Sequence, residues 1–361
     1  MAIPHPRTNR PLSTSAAKDW PFRISSEREL DEVLTRPSAQ LVRDIQTVRS
    51  PLVLLGAGGK MGPSLAVLAA RAAREAGSNL EIIAVSRFRD APRRKWLQDH
   101  GVTTVQADLL NASSYRGLPH ASDVLYLVGQ KFGTTASPTA TWTTNTLIPA
   151  WSMRRYPQAR FVVLSTGNVY PLCTVRGRGA AEHVSPLPIG EYASAALARE
   201  RIFEWHGEQQ STAGVILRLN YSSELRYGVP AEIASKVWRN EAIPLQNGWF
   251  NCIWQRDANE AVLRSLELAS NPIAIFNLTG LEKISVRQLA KTMASKMGRR
   301  PHFKGRESKT ALLSDARRLH QLLKPEKISC SILIDWVTQW VMNGLPSYDK
   351  PTHFEVRDGK Y

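Results

Sequence analysis

Residues 51–62 read PLVLLGAGGKMG, and the run continues as KMGPSLAVLAARAAREAG over residues 60–77. An apolar run stopped by glycine is the pattern of a buried parallel strand, and the Ala- and Leu-rich run after it has the period of a crossover helix. Glycines between the two let backbone N–H groups approach a pyrophosphate at the helix N-terminus. Gly56, Gly59 and Gly62 lie three apart, with Lys60 and Met61 inside the predicted cradle. A Walker A loop is excluded, because Met61 follows Lys60 where Ser or Thr is required, and no glycine lies five residues before it. The bland alternative is a tight turn that binds nothing. Four glycines within seven residues exceed what a turn needs.

Working outward, strands and helices alternate. Further strands are predicted at 80–86, 103–109, 123–129, 160–166 and 214–220, with helices over 140–154 and 191–208. This order predicts an α/β fold, a Rossmann-type doubly wound parallel sheet. Beyond residue 220 short helices (230–240, 257–270, 285–297) and isolated strands predict a smaller C-terminal α/β lobe. The chain then divides into an N-terminal extension (1–50), a dinucleotide-binding domain (51–220) and a substrate lobe (221–361) interleaved with the last strands. Within the extension, residues 1–23 read as disordered, with Pro4, Pro6 and Pro11 among polar residues. Ser26, with Glu29 three residues on, and Ser38 are expected to cap two short amphipathic helices.

Composition narrows the class. Of 361 residues 43% are hydrophobic and ten are Trp, enough for a large core. No apolar run reaches the roughly 18–20 residues of a membrane span, and the N-terminus lacks a secretory h-region. Cys173, Cys252 and Cys330 are far apart, which argues against a disulfide framework or a zinc site and for a reducing cytoplasm. A net charge of +16 raises the question of nucleic acid, but the basic residues are scattered and no binding motif organises them. Nucleic acid is therefore not an expected partner. His183, His206 and His302 have no metal-ligand spacing, so no metal is expected. Ser165 lacks the Gly-x-Ser-x-Gly elbow of a hydrolase nucleophile.

Five further motifs fall in a telling order: Asp108-Leu109, FVVLSTGNVYP (161–171), Glu191-Tyr192 opening a helix, RLN (218–220) and IWQRDAN (253–259). Together with the three-three glycine spacing they resemble the extended short-chain dehydrogenase/reductase superfamily, the NAD-dependent epimerase/dehydratase family, across roughly residues 51–345. The resemblance implies an NAD(P)-dependent oxidoreductase or epimerase/dehydratase-like enzyme that moves a hydride to or from a hydroxyl or carbonyl small molecule. By that register Thr166 polarises the substrate oxygen and Tyr192 shuttles the proton. Besides the glycine loop, the implied cofactor contacts are Ser86, Arg87, Asp108, Leu109, Val128, Gly129 and Asn145. The implied substrate contacts are Asn168, Asn220, Tyr221 and Phe250.

Two departures from the family pattern matter. Four residues after the tyrosine the family carries a lysine that lowers the tyrosine pKa, and here the residue is Ala196. Lys131, after the fourth strand, is the expected substitute, with Arg199 the other nearby cation. An arginine that clamps a diphosphate in sugar-nucleotide members is replaced by Phe250, which favours a less charged substrate; Arg226 or Arg256 could stand in. Strand two ends Ser86-Arg87-Phe88-Arg89-Asp90, and a basic residue there suits a 2′-phosphate, so NADP is expected before NAD. The alternative keeps Asp90 for NAD. Ala196 also leaves open a non-catalytic NAD(P)-binding sensor or scaffold, and a third reading is a nucleic-acid-binding regulator on the same fold. A homodimer is expected.

Overall fold

A computed structural model of the chain describes residues 20–131, 133–134 and 136–360. Seven parallel strands form the central sheet: β1 (Leu52–Leu55), β2 (Ile82–Ser86), β3 (Thr103–Gln106), β4 (Asp123–Tyr126), β5 (Arg160–Thr166), β6 (Gly214–Leu219) and β7 (Ala274–Leu278). Their spatial order is β7-β6-β5-β4-β1-β2-β3. The order reverses at β1, which pairs with β2 on one side (Leu55 opposite Val85) and β4 on the other (Leu55 opposite Tyr126). That reversal opens a crevice at the strands' carboxyl ends, where open α/β sheets bind ligands. Strands two, three and four are shorter than predicted: residues 107–109 and 127–129 leave the sheet to form the crevice rim.

Alternation of side chains along β1 feeds two layers. Leu52 and Leu54 pack with α3 (Gly62–Glu75), whose Ala-rich face permits close approach to the sheet. Val53 and Leu55 face the opposite layer with Phe161, Ile148 of α5 (Pro138–Arg155) and Phe203 of α6 (Gly190–Gln210). The lobe has its own core, built from α7 (Val229–Trp238), α9 (Val286–Met297) and α11 (Cys330–Met342) around Trp336 and Trp340. Between lobe and sheet lies α8 (Gln255–Arg264), where the sequence IWQRDAN turns from a two-residue strand into helix. Gln255 and Asn259 of α8 both donate to the Ser64 hydroxyl on α3, at 3.0 and 2.9 Å.

In the extension, Ser26 caps α1 (Glu27–Leu34) and Ser38 caps α2 (Ala39–Asp44), as their spacing implied. Glu29 does not close the box on Ser26; its carboxylate accepts from the Ser25 N–H instead. Most of the stretch expected to be disordered, residues 1–19, lies outside the described residues. Within residues 20–24, Trp20 meets Trp336 edge-on at 6.3 Å and Ile24 is buried, while Phe22 stays 87% exposed. Trp20 and Ile24 find the lobe core, which a reading of local polarity misses. No described helix is long and apolar enough to cross a membrane. Among the described residues no group of three or more His, Cys, Asp or Glu side chains could hold a metal ion.

Candidate active site

The turn from β1 to α3 is shaped by what its glycines lack. Gly56 has φ +84°, and a Cβ there would meet Val128 Cγ2 at 2.8 Å. A Cβ on Gly62 would collide with the Ala57 backbone. Both positions therefore require glycine for close approach, and Gly56 also for its left-handed backbone. The result is a backbone cradle at the N-terminus of α3, with the end of β4 directly beside it. Such a cradle fits a dinucleotide pyrophosphate, because helix N-terminal N–H groups and the helix dipole favour an anion.

A cavity of about 260 Å³ opens from this cradle across the crevice. Gly56, Gly59, Lys60, Met61 and Gly62 form one end, and Thr166, Tyr192 and Lys131 line the far side. Leu127, Leu164 and Leu219, at the ends of β4, β5 and β6, form the apolar floor. Tyr221, Ser222, Tyr227 and Gly228 supply the lobe wall. Tyr192 is 9% exposed and Thr166 is 7% exposed, so both present limited surface to the cavity. The Ser222 hydroxyl is buried with no hydrogen-bond partner, an acceptor and donor held ready at the wall.

Two amines give the cavity its electrostatics. Lys60 reaches from the glycine loop to the lobe, donating to the Ser222 carbonyl at 3.3 Å with its Nζ 3.4 Å above the Tyr227 ring centroid. Burial pushes its pKa down to about 7, opposed by the Glu224 carboxylate and reinforced by Lys131 and Arg226. Lys131 donates to the Thr352 carbonyl at 3.3 Å and lies 5.8 Å from the Tyr221 ring. Burial pushes its pKa down to about 8, against the pull of Glu355 and Glu232.

Ala196 is fully buried among Val169, Tyr170 and Ala180. Arg199 does not take the lysine's place at the cavity: its guanidinium donates to the Val128 carbonyl (3.0 Å) and to Asn145 Oδ1 (2.8 Å). Asn145 is thereby tied, with its amide donating to Thr141 O, as a strut between α5 and α6 and the loop after β4. Gly129 accommodates this strut, since a Cβ there would lie 2.6 Å from the same guanidinium. Ser165 is likewise structural: its hydroxyl donates to Glu200, whose carboxylate holds Arg218. Arg218 in turn donates to Tyr170 Oη at 2.8 Å, a connected buried network behind the end of β5.

The remaining expected contacts separate. Ser86 lies under the glycine loop, beside Gly58. Arg87 is exposed at the crevice rim, as is Asp108, with Leu109 buried beside it. Asp90 is committed elsewhere, its carboxylate capping α4 (Ala91–Asp99) through the Arg93 N–H at 3.0 Å. Asn168 donates its N–H to Thr166 Oγ1 at 3.2 Å, fixing the threonine rotamer. Asn220 lies behind the wall, its amide on Asn251 Oδ1 at 2.8 Å, and Phe250 packs in the lobe core 6.3 Å from the Tyr221 ring. Neither candidate clamp is free to grip a diphosphate: Arg226 pairs with Glu27, Asp31 and Glu224, and buried Arg256 pairs with Asp257 and Glu260. Sequence reasoning missed Thr352, about 160 residues beyond the tyrosine in a tail with no motif. It also assigned Lys60 only to the cofactor, although a lysine inside a glycine loop was a visible signal.

Residues 52–241 match the model of the NAD dependent epimerase/dehydratase family. The chain belongs to that family. A search of curated proteins gives no match. Among solved structures the chain resembles UDP-glucose 4-epimerase of Thermotoga maritima with UDP-glucose, at 16% identity and TM-score 0.66, covering 81% of this chain and 99% of that one. UDP-glucuronic acid 4-epimerase of Bacillus cereus with NAD is similar at 15% identity and TM-score 0.66, covering 81% and 96%. UDP-glucose 4-epimerase of Thermus thermophilus with NAD gives 18% identity and TM-score 0.64 over 80% and 98%. Likeness at this level establishes a shared fold.

Proposed function

We propose that the protein is an NAD(P)-dependent oxidoreductase or epimerase-type enzyme acting on a hydroxyl or carbonyl small molecule. The observation that carries this reading is that Thr166, Tyr192 and Lys131 line one cavity with the glycine cradle. A bound nicotinamide cofactor would supply hydride exchange. The cradle of Gly56, Gly59 and Gly62 would hold its pyrophosphate, and Arg87 at the end of β2 suits the 2′-phosphate of NADP. Asp90, already capping a helix, is poorly placed to serve as the ribose-binding carboxylate of an NAD enzyme.

The chain's own residues then divide the work. Thr166 Oγ, oriented by the Asn168 N–H, donates to the substrate oxygen and polarises the carbon it is attached to. Tyr192 gives or takes the proton at that oxygen. A phenol is a weak base at neutral pH, and a neighbouring cation favours its anion. Lys131, approaching from the loop after β4, supplies that charge in place of the lysine that Ala196 removes. The leucine floor lowers the local polarity on that side of the site and strengthens these interactions.

Titrating the protein with NADPH and NADH by fluorescence, and identifying any copurifying dinucleotide, tests the root of the reading. NADP(H) should bind in the micromolar range; failure of both cofactors below the millimolar range defeats it. Tyr192→Phe should abolish turnover while leaving cofactor affinity within about threefold. A second reading, a non-catalytic NAD(P)-binding sensor, is favoured by the solid packing of Ala196 and is chosen if a cofactor binds but no turnover is detected; turnover left intact in Tyr192→Phe overturns the proposed mechanism alone. The outer faces of α5 and α6 expose Leu147 and Trp205, and these are where a homodimer would form, a point for sedimentation analysis.

A further inference from the structure

The C-terminal tail lies far beyond the family match, which ends at residue 241, yet it forms a side of the cavity. After α11 the chain turns back across the molecule. Tyr348 donates its N–H to the Arg226 carbonyl at 3.0 Å, with its ring 5.1 Å from the Arg226 guanidinium. Thr352 is 3% exposed and lines the cavity opposite the cradle. Glu232 of α7 accepts both its N–H (2.9 Å) and its hydroxyl (2.6 Å), while its carbonyl accepts Lys131. Phe354 is buried in the lobe core, and its carbonyl accepts Asn247 at 2.6 Å. Arg357 donates to Thr310 O and Oγ1, both at 2.6 Å. Gly359 finally abuts Gly190, two residues before Tyr192, so closely that a Cβ on either would strike the other's backbone.

We propose that residues 346–360 are a fixed wall of the active site, with Thr352 setting its size, and that the site takes a small hydroxyl or carbonyl compound and excludes a nucleotide sugar. The inference rests on reading this cavity as the substrate site. Anchors before and after Thr352, on the sheet domain as well as the lobe, make the tail part of the scaffold. The space it leaves, about 260 Å³, lies below the roughly 300–1,000 Å³ of pockets for drug-sized ligands, and the larger neighbouring cavity of about 790 Å³ shares only Tyr227 and Gly228 with it. The arginines that could clamp a diphosphate point the same way: Arg226 and Arg256 are spent on carboxylates. The cations that line the cavity are Lys60 and Lys131, each engaged with a backbone carbonyl.

Lys131 offers a direct test, because the tail covers it. The full-length protein is treated at pH 8 with acetic anhydride or with a biotin N-hydroxysuccinimide ester, and modification of Lys131 relative to exposed Lys95 is read by peptide mass spectrometry. The proposal expects the Lys131/Lys95 ratio to be at least tenfold lower for the biotin reagent than for the anhydride. Phe354→Ala or the milder Arg357→Ala, which release the tail without entering the cavity, should raise the biotin ratio at least tenfold. Equal ratios for the two reagents in the wild type overturn the proposal. So does a Lys131 that stays unmodified, or unchanged, in both variants. Protection of Lys131 from acetylation by micromolar UDP-glucose also overturns it, whereas no protection is expected. These outcomes are independent of dinucleotide binding, so a failure of the functional reading is distinguishable from a failure of the wall.

Discussion

At the scale of single residues, two lysines carry most of the site's unusual chemistry. Lys60 is held half-buried between an aromatic face and one carbonyl, and its pKa has fallen from 10.5 to about 7 chiefly through burial. Between those two values the folded chain binds fewer protons than the unfolded chain, so stability rises with pH across the window from about 7 to 10.5. Below pH 7 the cost of burying the ammonium is felt in full. Lys60→Met should therefore raise the melting temperature, relative to wild type, more at pH 6 than at pH 9.5, a difference that scanning calorimetry at the two pH values can read. Arg87 tests the other end of the crevice. Arg87→Glu places a carboxylate where a 2′-phosphate would lie, and should weaken NADPH at least tenfold while leaving NADH within about threefold by fluorescence titration.

At the scale of elements, α6 is the helix to which the family resemblance assigns the tyrosine and, one turn on, the lysine position held here by Ala196. Tyr192 remains in its first turn, but Ala196 faces Val169, Tyr170 and Ala180, Arg199 braces the loop after β4, and Glu200 anchors Arg218. Reinstalling the lysine is therefore not a repair. Ala196→Lys would force an ammonium and four methylenes into a closed apolar contact, and should cost several kcal/mol of stability without raising turnover, by denaturant melts and steady-state assay. Glu200→Gln should also destabilise, by about 3–5 kcal/mol, since it leaves the Arg218 guanidinium buried beside a neutral amide. The departure at Ala196 was legible in the sequence because helical spacing puts position i+4 on the tyrosine's face. The fates of Arg199 and Glu200 were not, because they depend on partners 18 to 71 residues away.

At the scale of the whole molecule, legibility follows the range of the forces involved. Six of the seven sheet strands could be read from local apolar runs, whereas β7, which joins β6 from beyond residue 220, was read only as part of the lobe. The cradle could be read because Gly62 answers to Ala57 within one βα turn, although Gly56 also answers to Val128 beyond β4. Thr352 could not, since nothing in a polar tail predicts that Glu232 will seize it. The N-terminal extension shows the same limit. Its helices were visible through Ser26 and Ser38, whereas its attachment depends on buried charge. Arg256 of α8 donates to the Arg36 carbonyl at 3.0 Å, lies 5.4 Å from the Trp20 ring and pairs with Asp257 and Glu260, all out of water. Removing one partner of such a cluster costs more than the cluster contributes, because the other charges stay buried. Arg256→Met should thus lower stability by about 3–5 kcal/mol in urea melts. Asp257, already raised to about 6 by burial, would rise further without the guanidinium. Its folded form would then hold a proton over a wider range above the unfolded value of 3.8, so the deficit relative to wild type should shrink as pH falls from 7 toward 5. Hydrogen exchange should quicken across residues 20–45 before the central sheet, because the arginine ties that segment to α8 while β1 to β7 keep their own ladders. A uniform increase over sheet and extension alike would show that the extension and the sheet unfold as one unit.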